Sequence, residues 1–377
     1  TTKTFDNPDK DKLLMQLITY LLEQGHFQPK DFDDKFSEEV YSRFLETVDP
    51  YKHYFYSSDI KEFEVYKRDL DDQIKNYDVQ FFNLVYNRLT QRIEESKVIY
   101  TKILEQPFNY DLDEKYQSNP DELDYVSSKK DMANRWRKQL KFNTLTNYHD
   151  LVSDNENEEN KDIKTVSELE EESRASTLKN LQEVSVYFDD MRRDDWLSMY
   201  INAISETFDP HTYYFAPQVK DRFDAEMSGK YEGIGARLQK KMDKISITEL
   251  ISGGSAWRQN KLQVGDVILK VRQEDEEEAV SVVGMRLDDA VKLIKGPKGT
   301  NVILTLKRVD GTIEDLMIPR DEIELEETYA KSSIVQKENF KFGVINLPKF
   351  YIDFEDINSR NATSDVKREI ERLKAEG

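Results

Sequence analysis

The residues with the clearest chemical potential form a glycine-rich turn near position 234. Residues 231–238 read Tyr-Glu-Gly-Ile-Gly-Ala-Arg-Leu. A turn of this type presents successive backbone N–H groups at one concave point, which can hold a free carboxylate without a charged side chain. Gly233 and Gly235 allow the backbone angles and the close approach that a side chain would block. The sequence therefore predicts that the amides of Ile234, Gly235 and Ala236 receive the C-terminal carboxylate of another polypeptide.

The residues after the turn suit an extended peptide lying beside them. Arg237, Leu238 and Gln239 can pair with such a peptide as an added strand, where main-chain bonds give affinity and side-chain pockets choose the sequence. The predicted apolar pocket for the last side chain consists of Leu238, Leu287, Val291 and Ile294. Two simpler interpretations stay open: the three residues from 287 to 294 fill a domain core, and Arg237 only balances nearby acids.

The other candidate chemistry is weaker. The acidic run 274–278 lacks the spaced oxygen ligands and the glycine turn of a calcium loop, so it predicts a solvated hairpin tip. Ser252 and Ser255 lack the flanking order of a nucleophile elbow, and no histidine follows His211. The chain contains no cysteine, which removes thiolate chemistry and cysteine-based zinc sites. We predict no catalytic residue, no metal site and no cofactor in this chain.

Composition limits the function classes further. The chain has 377 residues, 37% of them hydrophobic, and a formal net charge of -20. This size predicts two or three domains, each with its own core. The negative charge argues against nucleic-acid binding, because phosphate is neutralised by Lys and Arg. The sequence has no apolar run of the roughly 18 residues that read as a membrane-spanning helix.

Long helices are predicted for the first two hundred residues. Gly25 is the only glycine before Gly229, which favours helices with short connections over a sheet rich in turns. Apolar residues recur at the spacing of a buried helix face in two stretches. These are Leu14, Leu17, Ile18, Leu21 and Leu22, and then Phe82, Val85, Leu89, Ile93, Tyr100 and Ile103. An exposed acidic loop is predicted near 153–176, where negative charge is dense.

One segment of the chain is duplicated. Residues 46–55 match residues 206–215, with Glu, Thr, Asp, Pro, Tyr and Phe at the same offsets. The residue before a proline is driven out of the α region, so each copy should end a helix and turn the chain. We interpret His53 and His211 as packing or capping residues.

Strands are predicted after Gly229. Residues 245–250 alternate between apolar and polar, and short apolar runs lie at 264–271 and 302–306. The Asp310-Gly311 pair predicts a hairpin in which both residues have positive φ. A short helix is predicted over Leu287–Lys295, giving a small sheet with one flanking helix.

Several of these motifs carry a family resemblance. They are Asp-Pro-His-Thr at 209–212, Glu-Gly-Ile-Gly-Ala at 232–236, Leu-Gln-Val-Gly-Asp-Val-Ile at 262–268 and the run 284–299 from Gly-Met-Arg-Leu to Gly-Pro-Lys-Gly. Together they resemble the tail-specific, or C-terminal processing, peptidases over most of the chain. The stretch from Gly229 to about Arg320 is similar to the PDZ domain of that family. The segment 343–351 and the helix expected over 364–374 resemble the start of its protease core.

The resemblance implies an α+β multidomain fold in three parts. These are a helical N-terminal domain over 1–228, a PDZ domain over 229–320, and the truncated beginning of an α/β protease domain over 321–377. It also implies a serine endopeptidase with a Ser-Lys dyad, which recognises substrates by their apolar C-terminal tails. The family's serine, lysine and oxyanion-hole residues come after the segments matched here. We therefore expect this chain to be the recognition and scaffold portion and to be proteolytically inert.

The resemblance further implies an exported, periplasmic location and leaves room for an accessory adaptor protein as partner. The polar residues at the start of the chain do not form a signal peptide, so a signal or lipid anchor upstream is compatible with this location. A second interpretation stays open: a non-catalytic PDZ adaptor that binds protein C-termini. Serine and lysine motifs in the rest of the parent protein would distinguish the two.

Overall fold

The computed structural model describes residues 8–157, 164–338, 340–356 and 358–376. The chain divides into two compact units, Thr1–Tyr214 and Phe215–Gly377. In the described part of the first unit every regular element is helical, whereas the second unit combines strands and helices. The predicted class, a helical region followed by a small sheet-and-helix domain, is confirmed. The division into three domains at 228 and 320 stays a prediction.

The first unit is built from α-helices of 6 to 29 residues. Its α-helices are α1 (Pro8–Tyr20), α2 (Asp34–Val48), α3 (Ser57–Phe63), α4 (Leu70–Lys75), α5 (Gln80–Leu104), α6 (Lys129–Asn157), α7 (Val166–Asp190) and α8 (Arg193–Phe208). Asp33 begins α2, since its carboxylate accepts the Phe36 amide at 2.8 Å. Such a cap satisfies an N–H group that has no partner inside the helix.

The core of the first unit contains the predicted face of α5. Phe82, Val85, Leu89 and Ile93 are all at most 6% exposed, so this prediction is confirmed. Aromatic rings from α2 and α8 complete the cluster, and the centroids of Phe44 and Tyr200 lie 5.1 Å apart. Edge-to-face packing of this kind adds to the stabilisation from burial alone.

The predicted face of α1 is wrong in part. Leu17 and Leu21 are 52% and 56% exposed, whereas Met15 and Leu22 are buried. The buried face also includes Asp11, whose carboxylate accepts a hydrogen bond from the Arg193 guanidinium at 2.7 Å. The buried face of α1 therefore runs through Asp11 and Met15, not along the face that its leucine spacing predicts.

The predicted acidic loop near 153–176 is wrong where the structure describes it. Helix α6 extends to Asn157 and α7 begins at Val166, while residues 158–163 lie outside the described residues. A capping box starts α7, with the Thr165 amide donating to Glu168 at 2.7 Å. The buried positions of α7 include Ser173 and Thr177. Because these side chains are small and polar, the helical periodicity does not stand out in the sequence.

The duplicated segments do end helices, as predicted. Helix α2 ends at Val48 and α8 ends at Phe208. In each copy the amide of the next aspartate bonds back into the last turn, from Asp49 at 3.0 Å and from Asp209 at 2.9 Å. His53 packs against Trp136 with ring centroids 4.9 Å apart.

The strands that the structure describes in the second unit form three separate sheets. Its elements are α9 (Pro217–Ser228), β1 (Lys230–Gly233), β2 (Ala236–Lys241), β3 (Lys244–Leu250), α10 (Ser255–Gln259), β4 (Val267–Gln273), β5 (Val280–Ser281), α11 (Leu287–Ile294), β6 (Asn301–Lys307), β7 (Ile313–Pro319), β8 (Asp321–Glu324), β9 (Lys331–Lys337), β10 (Phe340–Asn346) and α12 (Ala362–Ala375). The main sheet has the antiparallel order β2-β3-β4-β6-β7, with β5 added beside β4. Strand β1 pairs with β8, and β9 pairs with β10. The strands and the short helix predicted here are all present, with small shifts at their ends.

The hairpin between β6 and β7 is correct, but its predicted turn geometry is wrong. Among the two central residues only Gly311 has positive φ, at 90°. The Arg308 amide donates to the Thr312 carbonyl at 2.8 Å, and the Gly311 amide donates to the Arg308 carbonyl at 3.0 Å. The loop therefore holds three residues and ends on a left-handed glycine, the second common hairpin form.

Candidate peptide-binding site

An open cavity of about 470 Å³ lies between β2 and α11 in the second unit. We call this cavity the groove. The glycine-rich turn closes one end of it, and residues 231–238 contribute to its lining. Strand β2 is the last strand of its sheet, paired only with β3 among the described strands. Its other edge therefore has backbone groups that an added strand can use.

The turn is held in place through its carbonyl groups. The carbonyl of Ile234 accepts the Ala256 amide, and the carbonyl of Gly235 accepts the Ile251 amide, both at 2.9 Å. Within the described residues, the amides of Ile234 and Gly235 donate to no backbone carbonyl outside the strand ladders. Two N–H groups of the turn are thus left for a ligand.

Close approach of two backbone segments explains the glycine at position 235. Its φ is 77°, and a Cβ atom there would lie 2.9 Å from the Cα atom of Gly254. The segment Gly253-Gly254-Ser255, weighed in the sequence only as a nucleophile candidate, thus supports the turn. Ser255 itself is 2% exposed. The signal that could have revealed this contact is the second glycine pair, since facing glycines allow backbones to approach.

The predicted pocket residues come together, with different degrees of burial. Leu238, Leu287 and Val291 are half-buried and line the groove. Ile294 also borders the groove, but it is 3% exposed and belongs to the core cluster. The core interpretation therefore applies to Ile294, while the other three present apolar surface to the groove.

Two predicted residues are placed less favourably. Gln239 lies on β2 opposite Ser246 and does not line the groove. Arg237 lines the groove, and its guanidinium lies 3.2 Å from the Glu249 carboxylate, with both side chains 55% exposed. The interpretation that Arg237 balances a nearby acid fits this ion pair.

Helix α9 is a third wall of the groove that the sequence did not predict. Asp221, Arg222 and Glu226 all line the groove. The Arg222 guanidinium lies 3.2 Å from the Asp288 carboxylate at the start of α11, so an ion pair links two walls. Pro217 and Gly229 mark the ends of this helix in the sequence, but nothing local indicates which surface the helix covers.

A buried arginine fixes the end of α11. Arg320 is 4% exposed, and its guanidinium donates to the carbonyls of Ile294 at 2.8 Å and Leu293 at 3.1 Å. Burial lowers the pKa of Arg320. A Cβ atom on Gly296 would lie 2.9 Å from the Arg320 side chain. The turn after α11 therefore needs glycine at 296, and this contact sets the position of the helical wall.

A lysine-serine contact exists in the second unit but lacks the features of a catalytic dyad. The Lys230 ammonium donates to the Ser359 hydroxyl at 2.6 Å. Asp353 lies 3.9 Å from the same ammonium, and the Lys230 side chain is 28% exposed. An activated lysine nucleophile or base is desolvated in an apolar pocket. We assign this contact a structural role.

The remaining candidates yield no reactive site. Residues 274–278 form the exposed tip between β4 and β5, as predicted. Within the described ranges, no group of three or more His, Asp or Glu residues could hold a metal ion. Among the helices that the structure describes, none is both long and apolar enough to cross a membrane.

An antiparallel sheet with a flanking helix, an open edge strand and a glycine turn at its end defines a PDZ-type domain, here preceded by a helical unit. The family model for the PDZ domain matches residues 223–307. The model described as "Tail specific protease N-terminal domain" matches residues 18–218, more than half of the chain. The chain belongs to the tail-specific protease family.

Relatives agree with this assignment, and a solved structure is similar to part of the chain. The tail-specific protease of Haemophilus influenzae is 28% identical over 373 residues, which cover 98% of this chain and 50% of that protein. A probable CtpA-like serine protease of Staphylococcus epidermidis is 34% identical over 148 residues, covering 39% of this chain and 27% of that protein. The chain thus spans about half the length of the first relative, and its match covers 27% of the second. A crystal structure of the PDZ domain of a carboxy-terminal protease from Vibrio cholerae, in complex with peptide, is 46% identical, with a TM-score of 0.25, and covers 26% of this chain and 99% of that one.

Proposed function

We propose that this chain binds the C-terminal tails of polypeptides in the groove and presents them to a serine endopeptidase of which it is the recognition and scaffold portion. The observation that carries the proposal is the open edge of β2, which leads directly from the glycine turn along the groove. A tail added to this edge would place its carboxylate at the amides of Ile234 and Gly235. Its last side chain would lie against Leu238, Leu287 and Val291, which favours an apolar residue.

A peptide titration tests the binding step. A labelled peptide with a free apolar C-terminus should bind saturably in fluorescence anisotropy, and the same peptide with an amidated terminus should bind at least about tenfold more weakly, because charge-assisted hydrogen bonds are lost. Val291→Asp should abolish binding, since it places a carboxylate in the apolar pocket. Val309→Asp is the matched control, because Val309 is 74% exposed and does not line the groove. Equal binding of the free and amidated peptides would reject the proposed site.

The proposal assigns no catalytic role to any residue of this chain. The purified 377-residue chain should therefore bind tails without cleaving a tail-bearing protein, whereas the whole parent protein should cleave it in a tail-dependent way. The alternative of a non-catalytic adaptor is supported by the same groove. Intact substrate after incubation with the whole protein, despite tail binding, would favour the adaptor.

The proposed location is the periplasm or another exported compartment, on the basis of the family resemblance alone. Fractionation of cells that express the whole protein tests it, with a cytoplasmic enzyme and an exported enzyme as markers. Recovery of the protein with the cytoplasmic marker would contradict this location.

A further inference from the structure

Lys295 is the cation that stands beside the glycine turn. It follows the last residue of α11 and lines the groove. Its Cγ atom lies 3.7 Å from the point that a Cβ atom on Gly233 would occupy. Its ammonium lies 6.0 Å from the ring centroid of Tyr231, at the limit of a cation-π contact. The backbone of the turn and the Tyr231 ring thus place this side chain at the end of the groove where a tail would terminate.

The ammonium of Lys295 is not committed to an acid. Of the other cations that line the groove, Arg222 pairs with Asp288 and Arg237 pairs with Glu249. Within the described residues, no ion pair involves Lys295 or its neighbour Lys292. Lys292 lies one helical turn earlier on the same helix and also borders the groove. Lys295 differs from it by its contact with the turn.

The charge around the groove explains why a free cation matters there. The acids Asp221, Glu226, Glu232 and Asp288 line the groove, and so do the cations Arg222, Arg237, Lys292 and Lys295. Without the Lys295 ammonium the lining would hold one more acid than cations, in a chain whose net charge is -20, and would repel an incoming carboxylate. Two backbone amides supply only partial positive charge, whereas a nearby ammonium offers a full charge and a charge-assisted hydrogen bond.

We infer that the Lys295 ammonium contacts the terminal carboxylate of the bound tail and selects a free C-terminus over an amidated end or an internal segment. This inference rests on the proposed function, since it names a residue that determines specificity at the same site. The amides of the turn set the position of the carboxylate, and Lys295 offsets the negative field around it.

The test compares variants of the full chain with free and amidated forms of one labelled peptide. Lys295→Gln should weaken binding of the free form about fivefold, the upper range for a partly exposed ion pair, and should leave the amidated form unchanged. Lys295→Arg keeps the charge and should retain most of the affinity. The wild-type affinity for the free form should fall more steeply with added salt than that of Lys295→Gln, because exposed charge pairs are screened.

Two further lysine variants make the test specific. Lys292→Gln removes the same charge one turn away, and Lys307→Gln removes it from an exposed position that does not line the groove. Both should change the preference for the free form by less than about twofold. An unchanged preference in Lys295→Gln, or an equal loss in Lys292→Gln, would overturn the inference and leave the proposed function standing. A wild-type chain that binds neither peptide would overturn both.

Discussion

Replacing Gly235 by alanine tests the central feature of the groove. Position 235 has a φ of 77°, and its added Cβ atom would lie 2.9 Å from the Cα atom of Gly254. A left-handed conformation costs an alanine about 1–2 kcal/mol. The overlap is with backbone, which cannot rotate away, and overpacking of this kind costs about 1–3 kcal/mol. The expected destabilisation is the sum of the two, about 2–5 kcal/mol.

Gly311→Ala is the matched control for the backbone contribution. Gly311 has a φ of 90°, and no heavy atom lies within 4 Å of the position of its added Cβ atom. This variant should therefore lose only the conformational part, about 1–2 kcal/mol. It lies in the hairpin between β6 and β7, away from the groove, so tail affinity should not change.

Two measurements separate the outcomes. Hydrogen exchange of the β3 and β4 amides, followed by mass spectrometry, reports the local stability of the second unit, and anisotropy with a free-carboxylate peptide reports binding. Gly235→Ala should show faster exchange than Gly311→Ala, and its tail affinity should fall at least about tenfold because displaced amides lose charge-assisted hydrogen bonds. If Gly235→Ala matched the control in stability and kept the wild-type affinity, the reasoning about the turn would be refuted.

Two further predictions concern the first unit. Arg193→Met leaves the 3%-exposed Asp11 without its guanidinium partner and should lower the free energy of unfolding by about 3–5 kcal/mol. The control Lys10→Met breaks the exposed pair with Asp194 and should lower it by under about 1 kcal/mol. Equal unfolding midpoints of the two variants in urea would contradict this prediction. Burial lowers the pKa of His53 to about 4, so its contribution to stability is present above pH 6.5 and is lost as the pH falls through 4. His53→Gln lacks this loss, and its stability relative to the wild type should rise by about 3 kcal/mol over that range, as measured by urea unfolding; a constant difference would count against it.

The sequence predicted helices where the buried residues are apolar and failed where they are polar. The α5 stripe of Phe82, Val85 and Leu89 was predictable because each position that faces the core carries a large apolar side chain. Helix α7 was missed because Ser173 and Thr177 occupy buried positions. Their burial depends on other helices, since the Thr144 and Thr177 hydroxyls lie 3.1 Å apart. The sequence of α7 alone does not indicate that contact.

The groove shows the same division between local and distant causes. The turn and the pocket residues of α11 follow from glycine placement and helical spacing within short stretches of sequence. The α9 wall and the support from Gly254 and Arg320 depend on contacts between segments far apart in the chain. A single sequence offers no pairing rule for such contacts. The binding surface could therefore be predicted, but not the elements that hold it.

The duplicated corners show why a repeated motif need not carry chemistry. Both copies stop a helix in the same way, because the proline and the aspartate act on neighbouring backbone. Their surroundings differ. Asp49 is 1% exposed, and burial raises the pKa of Asp49 to about 6, whereas a hydrogen bond from the His211 backbone amide lowers the pKa of Asp209. Helix α6 causes part of this difference by placing Trp136 against the first copy, where its indole donates to the His53 carbonyl at 3.2 Å. A catalytic role would depend on the residues that surround the motif, and the shared sequence alone does not set those surroundings. What the two copies share is thus the helix stop, whereas the pKa of each aspartate is set by the residues around it.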